Sequence, residues 1–158
     1  MTSVLPRHRI SAAVFAAFVA VAVARADGLF IVNQPWVRPA QAGQTTEAYM
    51  DLTSSAGAKL VGVTSAAAAA AVVRTPEKLS GAAQSVTLPA GMLVALAPGK
   101  YRIVLQRLAR ALKPGDRVAL SLTIEAADGS RQDIPVNAEV RLHSPIDDEL
   151  HAHKHAHD

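Results

Sequence analysis

The sequence predicts an all-β domain, an antiparallel sandwich or barrel, and three observations predict it. Short segments alternate apolar and polar residues with period two, turn residues separate them at close intervals, and the apolar share of the 158 residues is 50%. That share supplies one core, and the chain is too short to expect two domains. Successive side chains of a strand point to opposite faces, so each alternating segment packs one side and wets the other. Many short strands joined by turns favour antiparallel architecture.

The first 26 residues stand apart. Arg7, His8 and Arg9 form a basic head, residues 10–23 are apolar except Ser11, and Ala24-Arg25-Ala26 offers a small-x-small site before Asp27. These are the three parts of a secretory signal peptide. The apolar run is short for a bilayer span, which needs about 20 residues; an uncleaved anchor is the alternative. Cleavage after Ala26 leaves an exported protein with no membrane attachment. The whole chain carries 16 Lys+Arg against 13 Asp+Glu and a pI near 9.6. The leader holds Arg7, Arg9 and Arg25 and no acid, so 16 less these three leaves 13 basic against 13 acidic residues. A balanced mature chain argues against a nucleic-acid partner. The absence of Cys excludes disulfides, thiolate zinc sites, Cys nucleophiles and a lipid-acceptor cysteine.

In residues 27–142, Asn33-Gln34-Pro35, Ser54-Ser55-Ala56-Gly57, Pro89-Ala90-Gly91, Pro98-Gly99-Lys100, Lys113-Pro114-Gly115-Asp116 and Asp128-Gly129 read as turns or loops. Tyr101, Ile103 and Leu105 alternate with Arg102, Val104 and Gln106. Val118, Leu120, Leu122 and Ile124 share one face, with Ala119, Ser121, Thr123 and Glu125 on the other. Ile134, Val136, Ala138, Val140 and Leu142 form the last apolar stripe. Pro135 within it predicts an edge position or a bulge, because proline cannot donate to a ladder. Two stretches fit less well. Residues 66–71 are six alanines, a local helix signal, though Val72 and Val73 follow and the context can force a strand. In residues 106–113 the spacing of Leu105, Leu108 and Leu112 suits about two helical turns or an irregular connection.

The order of segments resembles the periplasmic copper chaperones of the PCu(A)C type over roughly residues 30–141. The resemblance rests on Gln34-Pro35-Trp36-Val37-Arg38-Pro39, Thr46-Glu47-Ala48-Tyr49-Met50-Asp51-Leu52-Thr53, Lys59-Leu60-Val61-Gly62-Val63 and Leu88-Pro89-Ala90-Gly91, then on Leu96-Ala97-Pro98-Gly99-Lys100-Tyr101-Arg102-Ile103-Val104-Leu105 and Leu112-Lys113-Pro114-Gly115-Asp116. It implies a cupredoxin-like Greek-key β-barrel. It also implies a copper site made by a His after the segment matching Ala71-Val72-Val73, a Met further on, and a His and a Met on the tyrosine strand. Here the two His positions read Arg74 and Arg102, the Met position reads Val104, and no Met lies between Arg74 and Pro89. Copper(I) wants thioether or imidazole donors, and a guanidinium has no lone pair to give. The simplest expectation for both arginines is a solvated strand face. If they are close, something must compensate: Glu77, Asp133, a bound anion or a partner's carboxylate. Met50 and Met92 read as core filler, and Trp36 as a packing anchor.

After Leu142 the alternation stops, and residues 143–158 form a polar tail expected to be disordered without a ligand. Five of the six histidines lie there: His143, His151, His153, His155 and His157. The last four recur at every second position, so two or three can fold around one ion, with Asp147, Asp148, Glu149 and Asp158 as possible oxygen ligands. Imidazole suits copper(II), nickel(II) and zinc(II), with affinity greatest for copper(II). An unperturbed imidazole titrates near pH 6.5, so metal affinity is expected to fall below about pH 6. Short His-rich tracts mark metal binding by composition; a merely solubilising end is the alternative. An enzyme is not expected: a Ser-His-Asp triad would need this tail as its base, and no phosphate loop of the usual spacing is present. The sequence therefore predicts an exported periplasmic metal carrier, copper being the first choice and zinc or nickel the others, acting through His151, His153, His155, His157 and His143, with a recipient copper protein implied by the resemblance. The rival is an interaction protein on the same barrel with no metal.

Overall fold

The computed structural model describes residues 28–76 and 85–147. The leader, Glu77 and the tail histidines His151, His153, His155 and His157 lie outside the described residues.

Nine strands follow in chain order: β1 (Phe30–Val37), β2 (Thr46–Ser54), β3 (Ala58–Thr64), β4 (Ala68–Arg74), β5 (Val86–Leu88), β6 (Leu93–Leu96), β7 (Arg102–Leu108), β8 (Arg117–Ala126) and β9 (Arg131–Val140). They make one sheet in the order β4-β7-β2-β1-β9-β8-β3-β5, with β6 added to β2. All pairings are antiparallel except β1 with β9. The sheet curls until β3 and β4, though not hydrogen-bonded, run side by side, a half-barrel that agrees with the all-β expectation.

Alternation decides which face turns inward. Val118, Leu120, Leu122 and Ile124 of β8 are buried, as are Val136, Ala138 and Val140 of β9. They join Val37, Ala48, Met50, Leu52, Ile103 and Leu105 in the core. Met50 is thus core filler, as expected. Met92 is not: it is 60% exposed, because it stands in the turn before β6, where Met92 N donates to Pro89 O at 3.2 Å. Leu142 also departs from the expected stripe. β9 ends at Val140, and Leu142, lacking a ladder to orient it, is exposed.

The alanine run forms a turn followed by β4, with Ala70, Ala71, Val72 and Val73 paired to Gln106, Leu105, Val104 and Ile103. The helix preference of alanine amounts to a few tenths of a kcal/mol per residue. A ladder against β7 with Val73 buried outweighs it, a case of tertiary context overriding local preference. The helix considered for residues 106–113 is likewise absent. Arg107 takes φ 53° within β7, and Leu112 and Ala40 exchange both backbone hydrogen bonds, at 2.8 and 3.2 Å. Those bonds pin the segment as a connection crossing the start of β2.

Two prolines sit where their missing N–H is tolerated. Pro35 lies in a bulge of β1, where the register with β2 shifts between Asn33 and Trp36 and Gln34 takes φ 47°. Pro135 lies opposite Ser121 in an interior strand, not at an outer edge. However, β1 pairs with β9 only at Trp36–Glu139 and Val37–Val140. At Pro135 the side of β9 toward β1 therefore carries no ladder, which gives it the local character of an edge.

Candidate functional site

The inward residues of β1, β2 and β7 alternate with a second set that points outward: Trp36 on β1 with Arg38 just after it, Glu47 and Tyr49 on β2, Arg102 and Val104 on β7, and Val72 and Arg74 on β4. Register brings them together. Trp36 pairs with Tyr49, Ala48 pairs with Ile103 and so sets Tyr49 beside Arg102, and Arg102 pairs with Arg74. The result is one row across four strands, Trp36–Tyr49–Arg102–Arg74. Trp36, Tyr49 and Val104 are buried yet lie outside the main core cluster; they form a small apolar layer on the outer face.

Electrostatics organise this layer. Glu47 uses both carboxylate oxygens: Oε1 accepts from Arg102 Nε at 2.8 Å, and Oε2 accepts from the Tyr49 hydroxyl. Arg102 also donates through NH1 to the Thr75 carbonyl at 3.1 Å. The Arg38 guanidinium stands 5.7 Å from the centre of the Tyr49 ring, a cation–π distance. Arg38 is held by its own backbone, its N–H donating to Glu47 O at 3.0 Å and its C=O accepting from Thr46 Oγ1 at 2.7 Å. The Trp36 and Tyr49 rings lie 4.8 Å apart and tilted by 41°, within the favourable range for aromatic pairs. Burial, followed by the hydrogen bond and charge of Glu47, pushes the Tyr49 hydroxyl from 10.0 up to about 12. It is therefore a neutral donor at any physiological pH.

Arg74 and Arg102 thus do meet, and the expectation of two solvated arginines does not hold for Arg102, whose side chain is 17% exposed and ion-paired. Its counter-ion is Glu47. Asp133 plays no such part, since it accepts from Thr123 Oγ1 at 2.7 Å on the β8–β9 ladder. Strand parity was the available signal for Glu47: it stands two residues from Tyr49, on the face opposite Ala48 and Met50. Among the described residues no carboxylate pairs with Arg74.

This face offers a transition ion little. Among the described residues, the row and its neighbours present guanidinium, the engaged Glu47 carboxylate, phenol, indole and valine, with Asp51 one row along, none of them the imidazole or thioether that copper(I) prefers. Among the described residues no three His, Asp or Glu side chains gather to hold an ion. Met50 points into the core, and Met92 stands beyond the far end of β6 from Leu96, the residue that pairs with Met50. Of the predicted metal-site residues only His143 is described; it is exposed in the segment after β9.

The LpqE-like lipoprotein family model matches residues 31–140, which is the whole sheet. The chain belongs to that family. A protein of Leifsonia xyli subsp. xyli (strain CTCB07) that carries the name lipoprotein Lxx21020 is 33% identical over 120 residues, covering 71% of this chain and 70% of its own length. The sequence carries no Cys. Among the described residues no helix is long and apolar enough to cross a membrane.

Solved structures place the LpqE-like fold beside the PCuAC domains. The apo PCuAC domain from PmoF1 superposes with a TM-score of 0.61 at 22% identity, covering 71% of this chain and 92% of that one. The copper-bound PCuAC domain from PmoF2 gives 0.59 at 21%, with the same coverage. The solution structure of CuI-DR1885 from Deinococcus radiodurans gives 0.54 at 27%, covering 75% and 83%.

Proposed function

We propose that this LpqE-like protein is an exported, non-enzymatic copper carrier of the chaperone type that works in the periplasm. In this reading copper is captured by His151, His153, His155 and His157, with His143 at the base of the tail, and passed to a recipient copper protein. Three lines support it: the signal-peptide pattern of residues 1–26 with the lipoprotein character of the family, the likeness to PCuAC domains that include copper-bound members, and the alternate-residue histidines. The observation that carries the choice of tail over barrel is the Arg74–Arg102 pair with Glu47. It fills the positions at which the sequence resemblance puts copper-ligating histidines, and no donor there replaces them. Four imidazoles close in sequence suit capture and release better than permanent storage, because ordering a chain segment around an ion costs chain entropy.

Titration of copper(I) and copper(II) into the mature chain and into a chain ending at Leu142 tests the proposal. Binding confined to the longer chain is the expected result. Equal binding by both overturns it. Binding by neither favours the second reading, an interaction protein without metal, for which the arginine face is the specific observation.

A further inference from the structure

Among the described residues, the outer face of β1, β2, β7 and β4 carries Arg38, Arg74 and Arg102 against Glu47, which pairs with Arg102; Glu139, in register with Trp36, is taken up by Arg141 and Arg117. Asp51 lies on the same face but one row further along β2, opposite Asn33, on the side of Tyr49 away from Arg38. Like charges directly opposite on neighbouring strands destabilise a sheet, so the Arg74–Arg102 pair calls for an anion.

The path of the chain after β9 supplies one. Arg141 N donates to Val37 O at 3.0 Å, which brings the chain alongside β1. Ser144 and Ile146 then line the same small cleft as Trp36 and Tyr49. A turn follows in which Asp147 N donates to Ser144 O at 3.0 Å and Ile146 N to Ser144 Oγ at 3.3 Å. Asp147, Asp148 and Glu149 come next in sequence. Tyr49 and Arg74 are two strand spacings apart, roughly 10 Å. Three residues of extended chain also span about 10 Å. The acidic run follows directly on Ile146 and has the length to span from Tyr49 to Arg74. Asp51 lines the cleft that holds Ile146, and its charge disfavours the acidic run on that side.

We propose that the outer-face arginines Arg38, Arg74 and Arg102 receive the chain's own acidic segment, Asp147, Asp148 and Glu149, and so seat the histidine tail against the barrel face. The inference deepens the carrier reading by giving the tail a docking place, but it needs no metal and is tested without one. Docked, the imidazoles stand over an apolar and aromatic surface beside fixed positive charge. A recipient presenting its own acidic surface can then displace the segment and meet the histidines at the same point.

The lack of cysteine in the sequence allows a single spin label at Ala152→Cys in the otherwise intact mature chain. At low salt the label should broaden the amide signals of Arg74, Thr75 and Arg102 to less than about half their intensity. Asp148→Asn with Glu149→Gln, or about 0.5 M salt, should restore them, as screening at that strength shortens the reach of charge to a few Å. Arg74→Gln should restore them in part. Broadening that is absent at low salt, that survives removal of the acids, or that centres on another face overturns the proposal. So does broadening of Arg74 and Arg102 lost on Glu77→Gln alone, or seen only between labelled and unlabelled copies. Copper titration of the same unlabelled variants reads the carrier function separately: metal binding unchanged while docking fails removes this inference and leaves the carrier reading standing.

Discussion

Arg74 on β4 and Arg102 on β7 face one another in register, and Glu47, across on β2, neutralises only Arg102. The carboxylate is a shared acceptor, taking the Tyr49 hydroxyl on its second oxygen. Removing one partner of a mostly buried ion pair costs more than the pair itself contributes, because the remaining charge is left uncompensated.

Glu47→Gln should therefore destabilise the protein by about 1–3 kcal/mol, read as a lower urea midpoint with an unchanged slope. Adding Arg102→Gln should recover part of that loss, since the orphaned cation is removed with it. A double variant no better than Glu47→Gln alone would mean that Glu47 acts mainly through Tyr49.

Tyr49 makes stability depend on alkaline pH. Its hydroxyl is raised from 10.0 to about 12, so between those values the unfolded chain has lost a proton that the folded chain still holds. Stability from this group is complete below pH 10 and declines as pH rises toward 12, by a total of about 2 kcal/mol. Urea unfolding at pH 9 and above should show the decline, and Tyr49→Phe should flatten it. An identical pH slope in Tyr49→Phe would assign the effect elsewhere.

Met50 and Met92 should behave oppositely. Met50→Ala opens a core cavity and is expected to cost about 2–5 kcal/mol. Met92→Ala, on the surface, should change stability by no more than about 0.5 kcal/mol. Neither should alter copper uptake by the folded protein; a loss of copper binding in Met92→Ala measured by calorimetry would place a thioether ligand where the carrier reading has none.

On the carrier reading, metal uptake by the tail should depend on pH. Imidazoles must shed protons to ligate, so copper(II) affinity should be nearly level above pH 7.5 and fall by about tenfold or more for each unit below pH 6. Alanine at His151, His153, His155 and His157 should remove that dependence together with the binding. Retention of tight binding at pH 5 would point to carboxylate or backbone ligands.

Some of this protein was plain from single residues and spacings. The inward stripe of β8 alternates without a break over Val118, Leu120, Leu122 and Ile124, and it is buried as read. The alanine run and residues 106–113 left helix open beside strand or irregular connection, because both carry helical spacing or preference while their hydrogen bonds go to distant strands. Glu47 was visible as part of a motif, but nothing nearby in the chain marks it as the partner of Arg102, 55 residues away.

The division follows from the range of the forces involved. Alternation, turn residues, a leader-like pattern and the clustering of imidazoles are properties of neighbouring residues, so composition and spacing suffice to read an all-β chain with its imidazoles gathered in one stretch. The meeting of Arg74 with Arg102, the sharing of Glu47 between Arg102 and Tyr49, and the separation of Trp36, Tyr49 and Val104 from the main core depend on which strands pair and in what register. Register is a collective outcome of packing the whole sheet, and only the folded arrangement sets Arg74 opposite Arg102 and brings Glu47 within 2.8 Å of Arg102.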